Sequence, residues 1–224
     1  MPELIKENPR ILLLLEHLEV DFVVGDSTVS QLCSANSIPV ELFLVFGNLY
    51  NGFFPDRKEI RSIKDIRLII RFLKSNHHYY INDKYPEIIG YIRELQDLTK
   101  NEGVRLIKKF FQEYFNEVLE HLDYEDKTAF PYFIELIESR KTAPKTNFSV
   151  NDYQEHHTDV ETKLGDLKNL LLKHIHITNE LSTRRKLFFA LMELEFDLKM
   201  HSLIEETILL PLIAEIEKSR MNEQ

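Results

Sequence analysis

A chain of 224 residues that is 43% hydrophobic can bury one sizeable core, or a helical bundle with a small added module. Its 28 basic and 37 acidic residues interleave to a formal charge of −9, which leaves no sustained basic face and disfavours nucleic-acid phosphates as partners. Only 6 Gly and 8 Pro punctuate it, so long helices and an all-α fold are expected, while a single cysteine, Cys33, excludes an internal disulfide.

That lone cysteine fits a reducing cytoplasm. Met1 to Lys6 does not read as a signal peptide, and no apolar run approaches the roughly 20 residues of a membrane span, so a cytoplasmic chain without a membrane partner is expected. Residues 1–60 read as a small helical module. Asn8-Pro9 opens a helix over 10–18, Asp26 or Ser27 caps a short one through Leu32 and Cys33, and Ser37-Ile38-Pro39 starts a third carrying Leu42, Phe43, Val45, Phe46 and Leu49. Asn51-Gly52 and Pro55-Asp56 then read as a linker. As a helix-turn-helix the module would present Val40-Glu41-Leu42 to the groove, an acidic and apolar face, so a protein partner is the better expectation for it.

Residues 61–224 carry longer periods, with helices expected over about 62–98, 102–140, 149–175 and 180–219 and breaks at Asn101-Glu102-Gly103, Thr142-Ala143-Pro144 and Thr178-Asn179. Four long helices with short connections predict an up-down-up-down four-helix bundle, whose core is where a metal site is built. One motif appears twice, His121-x-x-x-Glu125-x-x-x-x-x-Pro131 and His201-x-x-x-Glu205-x-x-x-x-x-Pro211. Residues four apart on a helix lie one above the other, so each copy offers an imidazole and a carboxylate to one point.

A lone pair of this kind is usually solvated, but both copies sit in apolar stripes. The second steps through Leu194, Leu198, His201, Glu205, Ile208 and Leu212, and the first through Ile107, Phe111, Tyr114, Val118, His121, Glu125, Thr128 and Tyr132. A carboxylate facing a core must be paired or bind a metal, because burying it alone costs several kcal/mol. Pro131 and Pro211 lie inside the helices. Each is expected to free the carbonyl four residues earlier, at Lys127 and Thr207, and to bend its helix beyond the ligands.

The other two helices add histidines from their own stripes. Ile66, Ile70, Leu73, His77 and Tyr80 share a face that His78 does not, and Tyr153, His157, Val160, Leu164, Leu167 and Leu171 share one that His156 does not. His17, His174 and His176 read as surface residues near helix ends. Four His and two Glu suit two bridged ions of iron, manganese or zinc, and the absence of cysteine ligands argues against a structural zinc. A ferritin-like site needs Glu-x-x-His, which does not occur here.

This pattern resembles the hemerythrin-like, HHE cation-binding family, and within it the repair-of-iron-centres proteins, which join such a bundle to a small N-terminal module. The resemblance rests on both His-x-x-x-Glu-x-x-x-x-x-Pro motifs, on His77 ahead of Tyr85-Pro86-Glu87, and on Glu155-His156-His157. It implies a carboxylate-bridged pair of iron ions, with His77, His121, His157 and His201 as terminal ligands and Glu125 and Glu205 as bridges. The metal ligands and the N-terminal segment each depart from the pattern. A further histidine common in the repair proteins is replaced near Thr99, which leaves one position open to water or to Glu117, and Tyr153 stands where hemerythrin has a histidine. The N-terminal segment reads Asp21-Phe22-Val23-Val24-Gly25 in place of adjacent cysteines, and Cys33 does not replace a pair.

The resemblance implies chemistry with nitric oxide or oxygen in nitrosative or oxidative stress, including iron–sulfur cluster repair. The alternative is an oxygen or nitric oxide sensor that signals to a partner through residues 1–60. A third reading is a structural site filled with zinc. The sequence leaves a homodimer open.

Overall fold

The computed structural model describes residues 1–138, 149–150, 153, 162–175 and 179–221. Among these residues there are helices and no strands, so the chain is all-α. Its elements are α1 (Pro2–Glu7), α2 (Ile11–His17), α3 (Val29–Ala35), α4 (Val40–Tyr50), α5 (Arg57–Ser62), α6 (Ile66–Tyr79), α7 (Tyr85–Thr99), α8 (Glu102–Tyr124), α9 (Phe130–Glu138), α10 (Thr162–Lys173), α11 (Leu181–Ile204) and α12 (Leu210–Met221). The chain divides into two compact units. One is Met1–Asn76 with Phe133–Lys145 and Met200–Gln224, and the other is His77–Tyr132 with Thr146–Lys199.

In the first unit, α4 packs against α2, α3 and α5. Leu14, Leu42, Phe43 and Phe46 are buried there, and Phe46 meets Phe72 edge-on with ring centroids 4.8 Å apart. The caps differ from those expected. Thr28, not Asp26 or Ser27, starts α3 through a reciprocal capping box with Gln31. Directly after the expected linker comes a further helix, α5, because Asp56 and Glu59 form a second capping box. His17 is a second correction: it is 1% exposed and packs edge-on against Phe72 at 5.5 Å, since the last turn of α2 faces the core. Phe46→Ala is expected to cost about 3–5 kcal/mol by urea denaturation, because the cavity it leaves is fully enclosed. Phe53→Ala, at a ring 67% exposed, should stay within about 0.5 kcal/mol of the unmodified chain.

In the second unit α7 and α8 pack on each other, and α10 packs on α8. Lys100 turns the chain between α7 and α8 at φ 48°, and Asn101 caps α8 by accepting from the Gly103 N–H at 2.8 Å. Gly103 has no Cβ for a reason: one built there would stand 2.9 Å from that capping oxygen. Tyr85 stacks on Phe115 at 4.4 Å, and Ile88, Ile92, Val104, Ile107 and Phe111 complete the apolar contact. Lys84, buried, is ion-paired with Glu193 and Glu87, and Tyr79 donates to the same Glu193 at 2.7 Å.

Among the described residues, three helices pass through a single π-helical turn, at Tyr80–Lys84, Glu125–Ala129 and Glu205–Leu209. Each turn is closed by an i→i−5 bond, from the N–H of Tyr85 to Tyr80, of Phe130 to Glu125, and of Leu210 to Glu205. A proline follows each closing residue, at 86, 131 and 211. The expected break at the prolines therefore takes the form of a wider turn. Proline cannot donate, and the extra residue moves the unmatched carbonyls off the ring's path. Register changes with it: beyond Glu125 the expected stripe residue Thr128 is exposed and Ala129 is buried instead.

Candidate metal centre

Five of the six residues expected as ligands lie among the described residues, and the structure gives them to two sets. His157 lies outside the described residues, as do His156 and His176.

The second unit holds His77, His121 and Glu125. His77 is the third residue from the end of α6, one turn before its π-turn, and is 2% exposed, while its neighbour His78 is exposed. His121 and Glu125 are the i and i+4 residues at the end of α8, with side chains 7% and 0% exposed. Glu125 points one oxygen at each histidine: its Oε2 is 3.1 Å from His77 Nε2, and its Oε1 is 3.0 Å from His121 Nε2. A carboxylate in that position can bond to two ions, each carrying one of the imidazoles.

The first unit holds His201 and Glu205, again i and i+4 across the start of a π-turn. Both are buried, with His201 Nε2 3.5 Å from Glu205 Oε1. Their place at the end of α11 is set by the apolar residues Leu194, Leu198 and Ile204 on the same helix, all buried.

Outer partners fix the ring orientations, and these were not read from the sequence. His77 donates from Nδ1 to Asp126 Oδ2 at 3.1 Å, which leaves Nε2 turned to Glu125. His201 directs Nδ1 to Asn76 Oδ1 at 3.3 Å, which leaves Nε2 turned to Glu205. Such partners hold a ligating imidazole in one tautomer and raise its basicity, more for a carboxylate than for an amide. Their signal in the sequence is adjacency alone, Asp126 beside Glu125 and Asn76 beside His77. Tyr153 donates to Glu125 Oε1 at 2.6 Å. Burial lowers the affinity of His77 for a proton, but the hydrogen bonds its ring donates to Asp126 and Glu125 outweigh it and push its pKa up to about 9. Metal bound there would displace that proton.

The donor set fits a metal. His77, His121 and Glu125 in the second unit, and His201 and Glu205 in the first, are enclosed side chains of the kinds that hold an ion. Imidazole with carboxylate is a ligand set for iron, manganese or zinc. Glu117, the alternative to water at the open position, is not part of it: its side chain is half exposed and ion-paired with Lys163. Cys33 is fully buried and its thiol is pushed up by burial and by Glu41, which makes it an unreactive thiol. No helix among the described residues is long and apolar enough to cross a membrane.

Residues 68–213 match the hemerythrin HHE cation binding domain family, an interval that contains all six expected ligands. The chain is also 21% identical over 147 residues to a protein named iron-sulfur cluster repair protein ScdA from Staphylococcus haemolyticus, strain JCSC1435. That match covers 65% of this chain and 66% of the relative, just under two thirds of its length. With the family match extending over more than half of the sequence and the buried His/Glu donors inside it, the chain belongs to the hemerythrin HHE cation-binding family.

Proposed function

We propose that the chain is a non-haem di-iron protein of the nitrosative and oxidative stress response, whose centre binds a small diatomic ligand, oxygen or nitric oxide, and serves iron–sulfur cluster repair. In this reading residues 61–224 form the iron-binding bundle. His77, His121, His157 and His201 hold two iron ions, and Glu125 and Glu205 bridge them. The observation that carries it is the Glu125 carboxylate, whose two oxygens each approach a different histidine. The relative's printed name supports the repair role.

Iron bound there would supply reversible one-electron chemistry toward a diatomic ligand. The protein's own part is to orient and to exclude. Asp126 and Asn76 lock the imidazoles of His77 and His201 with Nε2 facing inward, so no rearrangement is needed when an ion arrives. Phe130 stacks on the His77 ring at 5.6 Å and shields it from water. Burial of both carboxylates keeps bulk solvent from competing for their oxygens.

Stopped-flow spectra of the ferrous protein mixed with oxygen and with nitric oxide test the reading. It requires a new visible band within the mixing experiment for at least one of them, and no spectral change with either would overturn it. A second reading, a sensor of the same ligands that signals to a protein partner through residues 1–60, is favoured by the thiol chemistry. Cys33 is the one cysteine of the chain and is buried, so that module offers no exposed thiol for repair. Turnover with excess nitric oxide separates the two, since a sensor binds once and stops.

A further inference from the structure

Tyr153 reads from the sequence as a residue in a histidine's place. Its hydroxyl nevertheless has a defined task. Its backbone N–H donates to Ser149 O at 3.2 Å, one helical turn back, and its ring is 1% exposed and stacks on Tyr124 with centroids 6.4 Å apart. The phenol is thereby held on the Oε1 side of Glu125, and its O–H···O contact of 2.6 Å falls in the range of a hydrogen bond to an ionised carboxylate. That same Oε1 is the oxygen beside His121, while Oε2 is beside His77.

We propose that Tyr153 is the positioning residue of the Glu125 bridge: its hydroxyl donates to Oε1, stops the carboxylate from rotating, and keeps one oxygen aimed at each histidine. This rests on the di-iron reading above. A carboxylate oxygen has two lone pairs, so the phenol occupies one and leaves the other for a metal. Without the hydroxyl, Oε1 loses the hydrogen bond that fixes it on the His121 side, and the carboxylate is a less preorganised donor. Tyr153 thus acts through Glu125 and does not itself ligate.

The test is Tyr153→Phe in the full chain, titrated with cobalt(II) and followed by its visible bands. The ring and its stacking are retained, so the variant should fold with the same circular dichroism. Cobalt affinity should fall roughly ten- to hundredfold, the size expected for loss of an outer-shell partner. In a Glu125→Gln background, where the charge that receives the hydrogen bond is gone, the same substitution should change affinity little further. A purely packing role would instead give equal losses in both backgrounds and would overturn the proposal, as would an unchanged affinity in Tyr153→Phe alone. Resonance Raman of the ferric protein showing tyrosinate modes that vanish in Tyr153→Phe would also overturn it, in favour of direct ligation. If Glu125→Gln alone leaves cobalt binding unaltered, the bridging reading itself falls, a result distinct from any failure of Tyr153.

Discussion

Glu125→Gln is expected to strip the protein of about half or more of its metal while leaving it helical. In the proposed di-iron centre, Gln would keep the volume but remove the negative charge that offsets two neighbouring cations, and their repulsion would then expel one. The loss should be severe at this position because one carboxylate faces both His77 and His121. The fold should survive, since the helices bury their own apolar stripes, Ile107, Phe111, Val118 and Leu122 on α8 among them. An additional cost comes from the amide nitrogen, which must find an acceptor where none is needed now. Glu205→Gln should behave alike if that carboxylate is the second bridge. The checks are elemental analysis and the visible spectrum, read beside far-ultraviolet circular dichroism.

The second large effect separates neighbouring histidines. His77→Ala is expected to lose most of the bound metal and His78→Ala almost none, because His77 is 2% exposed and paired with Asp126 and Glu125 while His78 faces solvent. The same contrast is expected of His157→Ala against His156→Ala from the stripe of the third helix. Equal losses within either pair would show that the helix phase does not select the ligand.

The legible part of this protein is what repeats at helical spacing. His121 with Glu125 and His201 with Glu205 could be read because i and i+4 share a face, and His77 because it keeps step with Ile66, Ile70 and Leu73. The helix breaks near Asn101 and Asn179 were legible from their composition. The π-turns were not. A proline in a helical pattern announces an interruption but not its form, and an inserted residue shifts the register without altering the residues before it. Thr128 was therefore assigned to a stripe that passes through Ala129. His17 was hidden for a different reason: a histidine in a last turn is usually solvated, and tertiary packing, including the edge of Phe72 on α6, encloses this one. The partners Asp126, Asn76 and Tyr153 act across side-chain distances that no spacing encodes, because each is defined by a ring orientation or a hydroxyl direction. The α3 and α5 capping boxes, Thr28-x-x-Gln31 and Asp56-x-x-Glu59, are local signals that were passed over for Asp26 or Ser27 and for a linker at Pro55-Asp56.

The central claim is that this chain holds a pair of iron ions, and metal analysis of protein purified without chelators tests it most directly. Glu125 turns one oxygen to His77 and the other to His121, as a bridge between two ions would, so about two iron atoms per chain are expected, with a visible absorption band that is lost in Glu125→Gln. One zinc per chain, or no metal and no visible band, would contradict it.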